Sequence, residues 1–517
     1  MSFCTVLSAA VQGVSVEMIR VEADVSNGLP MFHMVGYLSS EVKEASERVR
    51  TAIRNSGMKL PAKKIIVNLA PATVRKRGAS FDLPIALAVL AAMNYVPEEA
   101  LKGVAVIGEV SLEGKIRGVS GVLPIVMEAK NQGCTACILP EENEIEGRLV
   151  SGIKILPADN LEKLCAYLNG DEKEIHRKKQ GRSSAQRNIF ENKKEDFSDI
   201  CGQNAVKRAA EIAVAGGHNL LMAGPPGSGK SMIARRIATI LPELSLEESL
   251  EITRIYSVLG MIDKEQPLIT RRPFRSVHHT ITKTALVGGG MTPRPGEISM
   301  AHGGVLFLDE LAEFPRNVLE VLRQPLEEHQ IHIARNYGNF TFPAEFMLVA
   351  AMNPCPCGNY PDMQKCSCTP SQIQKYLGKI SQPFLDRMDL CIETPKVEYR
   401  ELDIERIGKK EEESSEVIRS RVVEARKLQK KRYEGTQIRT NSMLGPGEIR
   451  TYIPLGSAER KLMEKAFERM GLTARTYHKI LRVARTIADL DYSEKVTEKH
   501  LKEAIAYRSL DKKYWGR

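Results

Sequence analysis

The sequence predicts an α/β protein with an N-terminal α+β domain, a central domain whose parallel sheet is flanked by helices, and a C-terminal helical lid. Three patterns support this fold class. Apolar and polar residues alternate over much of residues 1–35, as they do in strands. A buried-strand pattern at 219–223 runs into a glycine-rich turn and then a helical pattern. Beyond residue 457, apolar residues recur at helical spacing.

Composition limits the classes of protein to which the chain can belong. Its 517 residues suggest about three domains, and 43% hydrophobic with 27% charged residues is usual for a soluble globular protein. The formal net charge of +10 favours polyanionic partners without proving them. Because no twenty-residue apolar run or signal peptide is present, we expect a cytoplasmic protein without membrane contact. The ten cysteines are then thiols or metal ligands.

The first domain, residues 1–168, is predicted to pack helices on one sheet. Residues 108–117 resemble a segment of the proteolytic domain of Lon proteases, and Ser80 lies where that family has its nucleophilic serine. A Ser–Lys hydrolase needs a lysine of lowered pKa beside the serine. The resemblance aligns Leu123 with that lysine, and leucine cannot take a proton. It therefore implies a Lon-like domain without peptidase chemistry, in which Ser80 is structural and the domain serves assembly or docking.

A linker is predicted at residues 169–195, before the motor domain at 196–400. The linker is polar, charged and without period, so it cannot bury itself. Its basic cluster offers one candidate contact to nucleic acid, with a solvated linker as the simpler interpretation. The cluster comprises Arg177, Lys178 and Lys179.

The motor domain is organised around a match to the phosphate-binding P-loop. Backbone N–H groups of such a loop face phosphate oxygens at a helix N-terminus. Lys230 would bridge the β- and γ-phosphates, and Ser231 would bind Mg²⁺. ATP and Mg²⁺ are therefore the expected cofactors. The motif consists of Gly224, Pro225, Pro226, Gly227, Ser228, Gly229, Lys230 and Ser231.

A second apolar run, at 304–308, ends in Asp309 and Glu310. In this Walker B pattern Asp309 would hold Mg²⁺ through water, and Glu310 would orient the attacking water. A third run, at 346–352, ends in Asn353, which resembles the sensor 1 residue of AAA+ ATPases and by that resemblance helps to position the same water. The segment 196–203 resembles the one beside the adenine in AAA+ proteins. These motifs predict an ATPase.

Residues 381–390 resemble the arginine-finger segment of magnesium-chelatase motor subunits and MCM helicases. The resemblance implies that Arg387 reaches the γ-phosphate bound by a neighbouring subunit, an effect of roughly 10³–10⁵ in rate in other systems. The alternative is an ordinary surface salt bridge between Arg387 and Asp386 or Asp389.

Two insertions separate this motor from a minimal ATPase. Residues 271–298 resemble the pore-facing helix-2 insertion of the same clade, and residues 330–343 predict a hairpin that resembles its pre-sensor-1 hairpin. His278 and His279 have no carboxylate or cysteine nearby in sequence, so a pore-loop or hydrogen-bonding role is favoured over a metal. Basic residues of the insertions are expected to grip DNA phosphates. They are Arg272, Arg275, Lys283, Arg294 and Arg335.

Four cysteines fall within residues 355–368, just after Asn353. Four thiolates give a complete tetrahedral ligand set for a structural Zn²⁺ ion. The C-x-C spacing is tighter than the usual C-x₂-C, so free thiols remain an alternative, and a disulfide pair is disfavoured in a reducing cytosol. The site would fix the loop between sensor 1 and Arg387. The cysteines are Cys355, Cys357, Cys366 and Cys368.

The lid is predicted at residues 401–517, with helices at 401–431, 457–470, 474–489 and 497–506 separated by a break at 445–447. Thr473 is a suitable N-cap for the helix beginning at 474. Arg475, at that start, resembles sensor 2, in which a lid arginine contacts the γ-phosphate. Arg482 and Arg485 are the fallback candidates. A solvated basic face that includes Lys479 is the alternative.

Over nearly the whole chain, the order of these motifs resembles the YifB/ComM family of magnesium-chelatase-like AAA+ proteins. Its ComM members act as hexameric helicases that drive branch migration of DNA in natural transformation. The resemblance implies a homo-hexamer on single-stranded or branched DNA, used in homologous recombination or natural transformation, with recombination proteins as further partners. A metal chelatase motor that inserts Mg²⁺ into a porphyrin and a Lon-like protein unfoldase remain alternatives.

Overall fold

The computed structural model describes residues 2–171, 195–291, 293–335, 338–396 and 412–515. Most of the predicted linker, with Arg177, Lys178 and Lys179, lies outside these residues, as does the start of the predicted lid. Within the described ranges, no helix combines the length and apolar character needed to cross a membrane.

The N-terminal part contains nine strands, seven of which form one mixed sheet. They are β1 (Ser2–Gln12), β2 (Ser15–Ser26), β3 (Met31–Val35), β4 (Lys64–Ala70), β5 (Val104–Val106), β6 (Glu109–Val110), β7 (Ile116–Arg117), β8 (Ala136–Pro140) and β9 (Lys154–Ala158). The sheet order is β3-β4-β2-β1-β5-β8-β9, while β6 and β7 form a separate hairpin. β2 pairs antiparallel with both β1 and β4, and the other neighbours pair parallel.

Helices cover both faces of this sheet, where the sequence predicted only that they pack on it. The helix Asp82–Ala92 is buried along its whole length and packs on β1 and β2. The opposite face is covered by Val122–Asn131, whose Leu123 lies in an apolar cluster with Ala9. The helices of this part are Ser40–Asn55, Asp82–Ala92, Val122–Asn131, Glu144–Gly147 and Leu161–Leu168.

The central part contains a five-stranded parallel sheet with two short hairpins. Its strands are β10 (Leu220–Ala223), β11 (Phe274–Val277), β12 (Gly288–Gly289), β13 (Arg294–Pro295), β14 (Val305–Leu308), β15 (Gln330–Arg335), β16 (Gly338–Pro343), β17 (Met347–Met352) and β18 (Leu390–Glu393). The order of the parallel sheet is β11-β14-β17-β10-β18. The P-loop, Asp309 and Asn353 follow β10, β14 and β17, so they meet at one edge, where α/β proteins bind ligands.

The two insertions form the hairpins β12–β13 and β15–β16. Their ends lie together, because Arg335 Nε donates to the Gly290 carbonyl at 3.4 Å. One face of β15–β16 carries Phe340 and Phe342, which share an apolar cluster with Val14 from the β1–β2 turn. The helices of the central part are Asn204–Gly216, Lys230–Ile237, Leu246–Leu259, Lys283–Val287, Glu297–Met300, Arg316–Glu320, Pro325–Glu328, Pro370–Leu377 and Gln382–Leu385.

The described residues beyond 412 contain helices and no strand. Three of the predicted helices agree closely with the structure, at Ser457–Met470, Ala474–Leu490 and Glu498–Ala506. The predicted break at 445–447 is wrong, because a helix begins at Pro446, where the missing N–H of proline costs no bond. The helices are Ser415–Arg432, Pro446–Tyr452, Ser457–Met470, Ala474–Leu490, Glu498–Ala506 and Ser509–Trp515.

The N-terminal domain contacts the motor along a seam between Val122–Asn131 and Leu246–Leu259. The Gly121 N–H donates to the Ser257 carbonyl at 2.9 Å. The Ser257 hydroxyl donates to Glu146 Oε1 at 2.5 Å, and the same oxygen accepts the Leu123 N–H at 2.8 Å. Burial raises the pKa of Glu146. Leu123, which the resemblance aligns with the Lon lysine, is therefore a core residue of this seam.

Candidate ATP and metal sites

The P-loop backbone turns directly into the helix Lys230–Ile237. Gly227 and Gly229 have φ of +75° and +81°, a region that disfavours side chains. A Cβ added at Gly227 would meet no atom within 4 Å, so backbone conformation, and not space, requires glycine there. The turn and the helix N-terminus together can present N–H groups to phosphate oxygens.

Lys230 is almost fully buried and its ammonium group is held by oxygens around the P-loop. Nζ donates to the carbonyls of Gly224 at 2.7 Å and Pro225 at 2.8 Å. It also lies 3.2 Å from Oδ1 of Asn353 at the end of β17. Burial lowers the pKa of Lys230 to about 8, opposed by the charge of Asp309. The structure thus brings the predicted sensor 1 amide to the P-loop lysine.

Ser231 and Asp309 form the second contact across the sheet edge. Ser231 Oγ donates to Asp309 Oδ2 at 2.6 Å, and Asp309 Oδ1 accepts the Glu310 N–H at 2.9 Å. A hydroxyl and a carboxylate beside a phosphate-binding loop are oxygen ligands of the kind that Mg²⁺ prefers. These residues therefore fit a site for the Mg²⁺ of a bound nucleotide.

Glu310 adopts a left-handed backbone with φ of +52°, which is uncommon for a residue other than glycine. Its carboxylate lies 3.0 Å from His279 Nδ1. The expectation that the two histidines lack a carboxylate is wrong in space, although correct along the chain, because β11 and β14 are paired neighbours. Backbone strain of this kind is concentrated at functional sites.

Two further residues tie surrounding segments to the P-loop. Gln203, also left-handed at φ +52°, donates from Nε2 to the Ser228 carbonyl at 2.7 Å. Thr394 lies 3.2 Å from the Ser228 hydroxyl, and its N–H donates to the Ala223 carbonyl at 2.8 Å. Sequence reasoning missed Thr394. Its one sequence signal is its position after the last strand of the parallel sheet.

The four predicted cysteines come together, with one sulfur from each within 4.8 Å of the others. The Sγ atoms of Cys355, Cys357 and Cys366 are 3.4, 3.8 and 3.6 Å apart pairwise. Tetrahedral zinc with Zn–S bonds of ~2.3 Å requires about 3.8 Å between sulfurs. The Asn359 backbone N–H lowers the pKa of Cys357 to about 6, which favours thiolate. The cluster therefore fits a metal ion.

The cysteine loop also touches the P-loop. Gly358 has φ of +80°, and any side chain there would overlap Pro226. The loop was expected to be fixed between sensor 1 and Arg387, but its contact with Pro226 places it against the nucleotide loop itself.

Arg387 is 8% exposed and ion-paired within its own subunit. Nη2 lies 2.6 Å from Glu327 Oε1, and Nε donates to the Arg323 carbonyl at 3.2 Å. The alternative partners named from sequence are engaged elsewhere, Asp386 with Gln382 and Asp389 with Lys479. Arg387 also lines a cavity of about 490 Å³ together with Lys283 and Glu320.

The lid helix Ala474–Leu490 begins as predicted, with the Thr473 hydroxyl accepting the Thr476 N–H. Arg475 is exposed at this end. Lys479 is 12% exposed and lies 3.0 Å from Asp389, so the solvated-face alternative is wrong for this residue. Arg485 is buried on Asp489 at 2.9 Å, which removes it as a fallback for a phosphate contact.

The five basic residues expected to bind DNA divide into two groups. Arg272 donates to the Gly303 carbonyl at 2.7 Å and pairs with Glu248 at 3.0 Å. Arg275 makes two bonds to Glu297, at 2.7 and 2.8 Å. The guanidinium groups of Arg272 and Arg275 are thus held by partners within the chain. The structure therefore does not support the expected contact of these two arginines with DNA. The exposed members are Lys283, Arg294 and Arg335.

Comparison with known proteins agrees with this geometry. Residues 196–402 match the family described as magnesium chelatase, subunit ChlI, residues 21–143 match subunit ChlI of Mg-chelatase, and residues 412–508 match the ChlI C-terminal family. YifB of Escherichia coli is 44% identical over 99% of this chain and 98% of its own length. The competence protein ComM of Haemophilus influenzae is 42% identical over 99% of this chain and 98% of its own.

A weaker similarity concerns the Lon-like region. Lon protease of Trichlorobacter lovleyi is 26% identical over 160 residues, which are 29% of this chain and 19% of that protein. This match supports a Lon-like region without extending the likeness to a whole Lon protease.

Proposed function

Because this chain belongs to the family of YifB and ComM, with domains of magnesium chelatase subunit ChlI, we propose that it is an ATP-hydrolysing AAA+ motor that acts on DNA as a homo-hexamer. The observation that carries the ATPase proposal is the pair of contacts Lys230–Asn353 and Ser231–Asp309 across one sheet edge. Two separate strand ends, at Asp309 and Asn353, converge there on the P-loop. Such convergence of polar groups is what phosphoryl transfer requires.

In the proposed reaction each side chain has a defined task. Lys230 would neutralise charge on the β- and γ-phosphates, and Ser231 with Asp309 would hold Mg²⁺. The bound Mg²⁺ would supply positive charge against the phosphates. Asn353 and Glu310 orient the attacking water. The largest contribution expected from this arrangement is electrostatic and positional, since the protein forms no covalent bond to the phosphate.

DNA is proposed as the substrate because two hairpins carry exposed basic residues at adjoining ends, and because one relative is named a competence protein. We propose branch migration, in homologous recombination or natural transformation, as the specific activity. A motor that moves along any sequence must grip phosphates and not bases. Affinity should therefore fall linearly with the logarithm of salt concentration and vary little with sequence.

The panel that tests this function measures ATPase with forked DNA, with protoporphyrin and with unfolded protein. DNA stimulation that disappears in an Arg294→Glu/Arg335→Glu variant supports the hairpin surface. The matched control neutralises Arg177, Lys178 and Lys179, which lie outside the described residues. If only this control variant loses stimulation, the proposal that DNA binds the hairpin surface is wrong.

A chelatase motor remains the second candidate, favoured by the ChlI description of all three family models. Stimulation by protoporphyrin and not by DNA would select it.

The ring requires contacts between subunits, and we propose that Arg387 supplies one by reaching the γ-phosphate bound by a neighbouring subunit. We also propose that Arg475 contacts the γ-phosphate from the lid. Arg387 is held by Glu327 in its own subunit, so ring assembly has to exchange that ion pair for a phosphate. Arg475 and Lys479 lie on the same helix, and Lys479 forms an ion pair with Asp389. Because Asp389 is two residues after Arg387, this ion pair supports the proposal that Arg387 and Arg475 act on one side of the subunit. Arg482 remains the fallback for Arg475.

We also propose that the cysteine cluster holds one structural Zn²⁺ per chain through Cys355, Cys357, Cys366 and Cys368. The sulfur distances and the convergence of all four cysteines support it. Metal analysis of protein never exposed to chelator should find about one zinc per chain. A metal-free preparation that retains full ATPase would contradict a structural ion.

A further inference from the structure

Two histidines and the Walker B glutamate meet at the end of two paired strands. His278 and His279 follow β11, and Glu310 follows β14, its parallel neighbour. His279 Nδ1 is 3.0 Å from Glu310 Oε2, and the two imidazole rings have centroids 4.0 Å apart. One ligand atom from each residue lies within 4.8 Å of the other two.

The contact between His279 and Glu310 is close without being a hydrogen bond. Among the described residues, the buried Nδ1 of His279 has no hydrogen-bond partner, although the carboxylate oxygen is only 3.0 Å away. The distance between His279 Nδ1 and the Glu310 carboxylate is short enough for an ion pair, but the geometry is not that of a hydrogen bond. A histidine nitrogen and a carboxylate oxygen at this separation can both coordinate one cation placed between them.

We propose that His278, His279 and Glu310 bind a borderline transition-metal ion of the Zn²⁺ or Ni²⁺ class, and that this ion inhibits ATP hydrolysis. Two imidazole nitrogens and one carboxylate oxygen suit such ions, whereas Mg²⁺ prefers oxygen ligands alone. The inhibitory part rests on the proposed function, since it requires Glu310 to orient the attacking water. A carboxylate that coordinates a metal ion cannot also orient the attacking water.

The site differs in chemistry and access from the two other candidate metal sites. Ser231 and Asp309 offer only oxygen, and the cysteine cluster offers only sulfur. Glu310 is 53% exposed and His279 30% exposed, so an ion can enter from solvent. His278 Nδ1 lies 3.0 Å from the Thr280 hydroxyl, a partner that can fix its ring.

The test uses full-length protein with its cysteine cluster loaded with zinc, and Ni²⁺ as the probe. Equilibrium dialysis without nucleotide measures Ni²⁺ binding, and ATPase assays in excess Mg²⁺ measure inhibition relative to each variant's own uninhibited rate. We expect His278→Gln and His279→Gln each to weaken binding and inhibition by at least ~10-fold. His332→Gln, at another exposed histidine of the motor that lies near Glu328, should leave both unchanged.

Equal inhibition of wild type and His278→Gln would overturn the proposal, because the ion would then act at the Mg²⁺ site. Ni²⁺ binding that neither histidine substitution weakens would also overturn it. The proposed function is tested separately by Glu310→Gln without Ni²⁺. If that variant hydrolyses ATP at the normal rate, the catalytic assignment and the inhibition fail, while dialysis still reports whether the histidines bind the ion.

Discussion

The motor and the N-terminal domain each present a serine that a family resemblance links to catalysis, and the surroundings of the two serines differ. In the motor, Ser231 bonds to Asp309 and its neighbour Lys230 contacts Asn353, so polar side chains from three strand ends converge. In the N-terminal domain, Ser80 is half-buried, and the position that should supply its base holds the buried Leu123. A site depends on the convergence of partners, which a single motif residue does not guarantee.

The same comparison suggests what the N-terminal domain does instead. The helix that begins with Val122 and Leu123 packs on the motor, and Glu146 bonds to both sides of the seam. A polar contact of this kind is stabilising only while the buried carboxyl keeps its partners. In this structure the helix and Glu146 therefore hold the N-terminal domain against the motor.

The largest effect is expected at the candidate ATP site of the motor, where the polar side chains converge. Lys230→Ala and Glu310→Gln should each reduce ATP turnover by roughly 10²–10³-fold or more, because each removes a group aimed at the reacting phosphate or water. Nucleotide binding should separate them, since Lys230→Ala loses a phosphate contact and Glu310→Gln keeps it. Turnover and nucleotide affinity are measured together on each variant. Normal turnover in Glu310→Gln would show that the Walker B assignment is incorrect.

The second prediction concerns Arg387, whose proposed γ-phosphate partner is bound by a neighbouring subunit. Arg387→Ala should lower ATPase by roughly 10³-fold, the lower bound for arginine fingers. Mixing it with Lys230→Ala protein should restore part of the activity, because mixed rings contain sites with both residues intact. ATPase is followed over a range of mixing ratios in rings shown to be mixed.

Glu327→Gln is the matched control for Arg387, since it breaks the same ion pair from the other side. It should keep most of the ATPase activity. If Glu327→Gln and Arg387→Ala lose activity alike and mixing restores none, Arg387 serves only the fold of its own subunit.

A smaller effect follows from the pKa of Lys230, which burial lowers to about 8. Phosphate binding favours the charged ammonium and so raises this pKa. Below pH 8 the lysine is already protonated, whereas above pH 8 it must take up a proton to bind. Affinity for MgATP should therefore fall by up to tenfold per pH unit above about 8. Titration calorimetry in buffers of different ionisation enthalpy should show proton uptake on binding above pH 8, and only about a tenth of a proton at pH 7.

Sequence reasoning succeeded where strand and motif are continuous along the chain. The P-loop, Asp309 and Asn353 each follow an apolar run directly, and parallel strands bring their ends together. The pairing of His279 with Glu310 was not predictable, because it depends on which strands are neighbours. Residues of one type also differ in role, since Arg272 is held by backbone carbonyls and Glu248 while Arg294 is exposed. Local sequence does not reveal that difference.

The smallest effect is expected at Ser80, for which the aligned base position holds Leu123. Ser80→Ala should leave DNA-stimulated ATPase unchanged and shift the free energy of unfolding by no more than ~0.5 kcal/mol, because the Ser80 contact seen here is its backbone carbonyl, which accepts the Gly108 N–H at 3.0 Å. A serine-reactive probe should label wild type and Ser80→Ala equally. Ser231→Ala is the matched control in the motor and should lose Mg²⁺-dependent turnover. Labelling confined to Ser80 in the wild type would mean that another residue serves as its base, and the contrast between the two domains would then fail.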